Sequence, residues 1–299
     1  MSDSEPTPPA RRDSPFAATR ATLRRGLKHA AVEFLSLGWR ISGRQDKALA
    51  RPRVQIAVLH HVEIEMRPAF AAWLRELSKF CTFVTYSQAV ERAIRGPIDK
   101  PMLAFSFDDG FRSCIGAAEV MRDFGATACH FVNPRIVGER DPEVIRAWRT
   151  RLRLRHNDGH MDWDDLATLI DLGHEIGNHS MDHQNLGLPS VDLTEQIVRS
   201  KEVITQKLGI ARPHFAWPYG SVPRLSLGAK RTVYESGHAS CASSLRGAHI
   251  EPAGSTERLC LRRDHTWFRL PVHHNLVLLA RSAQRAGLSD NHWPPPLAD

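Results

Sequence analysis

Leu103-Ala104-Phe105-Ser106-Phe107-Asp108-Asp109-Gly110-Phe111 is an apolar run with strand character that ends in two adjacent carboxylates and a glycine. Successive side chains of a strand point to opposite faces, and a glycine just beyond the pair lets the chain turn. Asp108 and Asp109 are therefore expected at the C-terminal mouth of one strand, with different neighbours. Two acids in different environments can hold two roles, one on a cation and the other taking a proton from water. Taken alone, Asp-Asp-Gly is also an ordinary turn.

Outward from this stretch the chain alternates. Residues 54–62, running from Val54 to His60, His61 and Val62, read as a strand closing on two histidines. Residues 68–79 read as a helix, 80–86 as a strand, and a further helix stops at Gly96-Pro97. Beyond Asp109, a helix through 117–124 leads to the strand 127–132. Such spacing implies parallel βαβ units. Residues 134–160 break the rhythm with Arg146, Arg149, Arg151, Arg153 and Arg155, an insertion over the mouth whose arginines suit either an anionic substrate or plain solvation. Residues 161–172 are expected to form a helix capped by Asp162 and stopped by Gly173.

The second chemical signal is His179-Ser180-Met181-Asp182-His183. Histidines four apart share one face of a helical turn and can converge on a metal ion, although two exposed helix histidines are an equal reading among sixteen. Parallel α/β chains place their sites at the C-terminal ends of the strands, so the acidic strand and the histidine pair are expected to meet. One carboxylate with two imidazoles leaves open coordination positions, which suits catalytic zinc and also non-haem Fe(II).

Composition narrows the class. With 299 residues and 42% hydrophobic content, the chain can bury a sizeable core. No apolar run reaches membrane-span length, and the N-terminus lacks the apolar core of a secretory signal, so a cytoplasmic protein is expected. Five scattered cysteines without a Cys-x-x-Cys pair argue against both a disulfide framework and a thiolate metal site. The net charge of +7 sits almost entirely in residues 1–53, where eleven basic and five acidic residues leave +6. No nucleic-acid partner is expected for the remainder. Residues 17–39 have the spacing of a basic amphipathic helix, for a peripheral membrane or partner contact or for packing on its own domain. The division expected is a basic extension over 1–52, a catalytic domain over 53–280 and a tail over 281–299, with Pro294-Pro295-Pro296 disordered.

Several ordered motifs resemble the polysaccharide deacetylases of carbohydrate esterase family 4. Ser106-Phe107-Asp108-Asp109-Gly110 is similar to the family's first motif, Thr-Phe-Asp-Asp-Gly, and His179 to His183 fits its His-Ser/Thr-x-x-His. Trp217-Pro218-Tyr219-Gly220 resembles the end of the third motif, and Leu59-His60-His61-Val62 the opening Tyr-His-x-Val. The resemblance implies a distorted (β/α)7 barrel of parallel strands behind an N-terminal helical extension, and removal of an acetyl group from a sugar. Carried over by position, Asp109, His179 and His183 hold a divalent metal, Zn2+ first, and Asp108 is the general base. The Tyr219 backbone N–H holds the oxyanion, and His60, Trp217 and Arg263 are expected on the substrate side.

Two departures stand out. Ala216 occupies the place of the arginine that braces the base, leaving Arg262 or Arg263 to supply it from the next strand. The late Leu-x-His motif has no clean counterpart; His265 is preferred over His273 as proton donor, on the expectation that Asp264 raises its pKa. A small non-peptide amide as substrate, or a silent carbohydrate-binding or scaffolding role, remain the alternatives. A non-haem iron oxygenase fits the ligand order less well.

Overall fold

The computed structural model describes residues 30–154, 158–268, 270–285, 292–295 and 297. The expected helix over 17–39 falls partly outside them; helix α1 is described over 30–41. Helix α2 (Arg44–Leu49) leads into strand β1 (Arg53–Leu59). Then come α3 (Arg67–Leu77), β2 (Thr82–Phe83), α4 (Tyr86–Arg95), β3 (Pro101–Asp108), α5 (Ser113–Arg122) and β4 (Ala128–Val132). The second half carries α6 (Pro142–Leu152), α7 (Trp163–Asp171), β5 (Glu175–Asn178), α8 (Ser200–Leu208) after a π turn, and β6 (Phe215–Ala216). Helix α9 (Leu227–Glu235), β7 (Cys241–Ala242), β8 (Asp264–His265) and α10 (Val272–Arg285) are the last elements among the described residues.

All strand pairs are parallel, in the order β7-β6-β5-β4-β3-β1-β8, with β2 branching from β3. Leu261 bridges to Ala242 on β7, and β8 pairs with β1. Residues 261–265 thus span the two edges and curl the sheet into a distorted barrel. Strands β1 and β4 are buried along their whole length and β3 all but its first residue, as two-sided covering by helices requires. Between sheet and helices, Phe70 and Trp73 of α3 pack on Phe105, Phe107 and Phe268. Trp73 is fully buried, so its loss to Ala would cost about 3–5 kcal/mol.

Local sequence signals account for several boundaries. The Asp162 side chain accepts from the Asp165 N–H and Asp165 answers in a capping box, which starts α7 where the sequence places it. The expected strand over 80–86 shrinks to two residues, because the Thr85 capping box with Gln88 starts α4 at Tyr86. All five cysteines are free and buried, packing residues as expected. The stretch expected to be disordered, Pro294 to Pro296, lies partly outside the described residues; beside it, Trp293 and Leu297 are buried, and the Trp293 ring lies 6.1 Å from that of Trp217. No helix among the described residues is long and apolar enough to cross a membrane.

Candidate active site

Strand β3 delivers both carboxylates to the mouth of the barrel. Asp108 is its last residue; Asp109 and Gly110 then take positive φ of 72° and 67°. The reversal separates the two acids, so that each meets different partners. A side chain at Gly110 would also press within 3.2 Å of Val132, so glycine serves both turn and packing.

Asp109 faces two imidazoles. Its Oδ1 lies 3.6 Å from His179 Nε2 and 3.4 Å from His183 Nε2, and the three donor atoms fall within 4.8 Å of one another. These separations are long for hydrogen bonds and suit a cation held between them at about 2 Å from each donor. His179 Nδ1 lies 2.8 Å from the Ala216 carbonyl, which can only accept, so Nδ1 carries the proton and the Nε2 lone pair faces the cluster. Burial pushes both imidazoles down to about 4, which keeps them neutral at pH 7, the form a metal needs. The donor set fits a divalent ion such as zinc.

The histidines do not share a helical turn, which corrects the reading of their spacing. They follow β5 in a loop where Ser180 and His183 adopt φ of 66° and 59°. Asn133 fixes the loop by donating to the carbonyls of His179 and Ser180, and the His183 N–H donates to Ser180 Oγ at 3.0 Å. Ser180 thus orients the loop. Every described non-glycine residue with positive φ, namely Asp109, Arg153, Ser180, His183 and Tyr219, lies on the loops around this mouth. Backbone cost of that kind concentrates where geometry is over-determined.

Asp108 looks the other way. Arg263 grips it with Nη1 at 2.6 Å from Oδ1 and Nη2 at 2.9 Å from Oδ2, both side chains buried. Burial alone would raise the Asp108 carboxyl, but the guanidinium, with His179 and His60, outweighs it and holds it well below the usual carboxylate range. Arg263 therefore stands where a brace for the carboxylate is needed. It has no exposed surface with which to contact substrate, which corrects its assignment to the substrate side.

Residues 95–235 match the family model described as polysaccharide deacetylase. This stretch is a polysaccharide deacetylase domain. It contains Asp108, Asp109, His179, His183 and Tyr219, while Arg263 and His265 reach the same mouth from beyond it. Among solved structures, IcaB from Ammonifex degensii aligns with a TM-score of 0.60 at 19% identity, covering 78% of this chain and 98% of that one. The Streptococcus pyogenes deacetylase PplD, in complex with acetate, aligns with 0.59 at 13% identity, covering 76% and 98%. The putative polysaccharide deacetylase BA0330 from Bacillus anthracis gives 0.57 at 15%, covering 78% and 69%. At these identities the structural likeness carries the fold. No curated protein matches the chain.

A cavity of about 370 Å3 opens beside the carboxylates, lined by His60, Asp109, Trp267 and Arg153 among others. His265 is stacked between His60 and Trp267, with centroids 5.6 Å from each. Burial, then His60 and Arg263, push its imidazole down to about 4. The expectation that Asp264 raises it is corrected. Asp264, the preceding residue on β8, points to the opposite face, where it accepts from Gln55 at 2.7 Å and Ser282 at 2.6 Å. Burial lifts the Asp264 carboxyl to about 6.

Tyr219 packs edge-on against His183, with centroids 4.5 Å apart, and takes φ of 62°. Trp217 is not on the substrate side: it is fully buried, and its Nε1 donates to the Arg224 carbonyl at 3.0 Å. His273 and His274 lie in the first turn of α10 and meet Glu33 of α1, a second convergent Glu-His-His set on other elements. The aromatic face the sequence reading missed is Trp267, half exposed beyond β8.

Proposed function

We propose that the chain is a metal-dependent hydrolase that removes the acetyl group of an N-acetylated saccharide, in bacterial envelope polysaccharide metabolism. The observation that carries this reading is the pair of adjacent carboxylates with divided tasks: Asp109 faces His179 and His183, and Asp108 is held ionised by Arg263 beside them. A protein that only bound sugar would have no use for a second, ionised carboxylate next to a metal triad.

Asp109, His179 and His183 would hold the ion, zinc by the chemistry of the donor set. When bound, it supplies Lewis acidity toward the acetyl carbonyl and acidifies water. Asp108, kept ionised by Arg263, would take a proton from the attacking water. The Tyr219 backbone N–H donates to the oxygen on which negative charge develops. The C–N bond breaks, acetate leaves, and the amine takes its proton from His265, the imidazole stacked between His60 and Trp267. That imidazole is neutral at rest, so the proton it passes to the amine is the one Asp108 took from water, which returns Asp108 to its ionised form. Trp267 offers an apolar face for the sugar ring, and His60 supports His265 by stacking.

The test is acetate release from a panel of N-acetylated saccharides by zinc-loaded and chelated protein. Zinc-dependent release supports the reading. Release from small acyclic amides but from no saccharide would move the substrate to a non-peptide amide on the same fold. Stoichiometric metal with no acetate from any substrate would leave a binding protein.

A further inference from the structure

Three arginines of the insertion, Arg146, Arg149 and Arg153, lie beside the candidate site. Residues 142, 145, 146, 149, 150 and 153 recur at helical spacing, so α6 and its cap present them on one face. That face lines a shallow, open groove of about 780 Å3 in which Arg146, Arg149 and Arg153 supply three guanidinium groups, and the Glu143 carboxylate pairs with Arg146 from outside the lining. Arg153 and Leu154 also line the cavity that contains Asp109, His60 and Trp267, so groove and mouth are continuous. From Arg153 to Arg146 the helix rises ~10 Å, which sets the length of the basic path leading away from the triad.

The opposite face of α6 is anchored. Trp148 is buried, edge-on to His183 at 6.5 Å and to His160 at 6.0 Å. Arg151 covers the Trp148 ring and lies 3.8 Å from Asp182. The arginine face is thereby fixed in rotation relative to the triad. Arg149 Nη1 donates to the Asp158 carbonyl at 3.1 Å, and Arg146 pairs with Glu143 in an exposed contact of the kind that is worth little. Arg153 ends the helix at φ 55°, a conformation that glycine or asparagine would adopt at lower cost, and arginine stands there.

A neutral saccharide has no use for three planar forks, which match the two oxygens of a carboxylate or phosphate. We propose that this face binds an anionic group of the substrate, so that the saccharide deacetylated carries a carboxylate or phosphate beyond its acetylated sugar, with Arg153 as the specificity residue closest to the mouth. The proposal rests on the deacetylase reading and names the substrate class of that same site.

The experiment uses the full chain and a matched set of N-acetylated oligosaccharides: neutral, uronic-acid-bearing and phosphate-bearing. Binding is read by calorimetry with chelator present, and acetate release with zinc. At low salt at least one anionic member is expected to bind tenfold or more tighter than the neutral one, and the advantage should shrink as salt rises. The preferred anion identifies which of the two groups the arginines read. In R149A/R153A the anionic-to-neutral ratio should fall to near one; R149K/R153K, which keeps the charge and loses the fork, should fall between; Arg95→Ala on α4 should leave the ratio at its starting value. Equal binding of all members, or an unchanged ratio in R149A/R153A, would overturn this proposal while zinc-dependent acetate release left the deacetylase intact. Absence of acetate release from every member would overturn both.

Discussion

Arg263 and Asp108 are 155 residues apart in the chain and form a two-pronged ion pair of 2.6 Å and 2.9 Å in which neither side chain has appreciable exposure. Strand β8 brings the arginine beside β1, and β3 brings the carboxylate from the other flank of β1. A third contact, Arg263 Nε to the Ser243 carbonyl at 2.9 Å, holds the guanidinium plane.

Removing one partner of such a pair leaves an uncompensated buried charge. Arg263→Ala is therefore expected to lower unfolding free energy by about 3–5 kcal/mol. Without the guanidinium, burial would push the Asp108 carboxyl upward, so any residual activity should need higher pH. Urea denaturation and a pH–rate profile measure the two effects; wild-type stability together with an unchanged profile would contradict the brace.

Zinc should raise the thermal midpoint of the wild-type chain and chelator should lower it, because an ion that binds only the folded state stabilises it by mass action, about 4 kcal/mol at a thousandfold excess over Kd. His183→Ala should lose stoichiometric zinc by elemental analysis and the chelator-sensitive part of the midpoint with it. A variant that kept one zinc per chain would place the ion elsewhere.

Two imidazoles away from the mouth set an acid limit on stability. Burial pushes His174 and His238 down to about 4, below the ~6.5 of an unfolded chain, so between those values the unfolded state binds more protons and stability falls as pH falls. From pH 7 to pH 5 each contributes a loss of ~2 kcal/mol. Asp264 acts in the opposite sense: its carboxyl is raised to about 6 and returns ~1 kcal/mol over the same interval. His179, His183 and His265, also held down to about 4, add to the loss once the metal is removed, so the net expectation in chelated protein is a fall of several kcal/mol, read by denaturant titration at the two pH values. A pH-independent midpoint would contradict it.

If His265 protonates the leaving amine, His265→Asn should lower kcat on N-acetyl sugars about 100-fold or more with a smaller change in KM. An aryl acetate, whose leaving group needs no proton, should lose far less. Equal losses on both substrates would make His265 a positioning residue.

The chemistry-bearing acids were legible because they are local: an apolar strand, Asp108, Asp109 and Gly110 state in nine residues where the strand ends and the chain turns. The histidine pair was legible as a donor set but not as a shape. A four-residue spacing suits a helix, and only the Asn133 contacts to the His179 and Ser180 carbonyls show why a loop holds the rings instead. Long-range pairing hid the rest. Arg263 was legible only as one of two candidates for the brace and was also placed on the substrate side; its full burial against Asp108 decides between these, and nothing near Trp217 in sequence shows that Trp293 packs beside it in the core. Asp264 is a simple case of strand alternation, since the residue next to His265 had to face away from it.

The measurement that bears most directly on the central claim is acetate release by zinc-loaded Asp108→Asn beside wild type, with zinc content determined in both. One zinc per chain in each, with turnover lost only in the variant, is the predicted result. It would separate the carboxylate that handles the proton from Asp109, which faces the ion. Undiminished acetate release from Asp108→Asn would contradict the account.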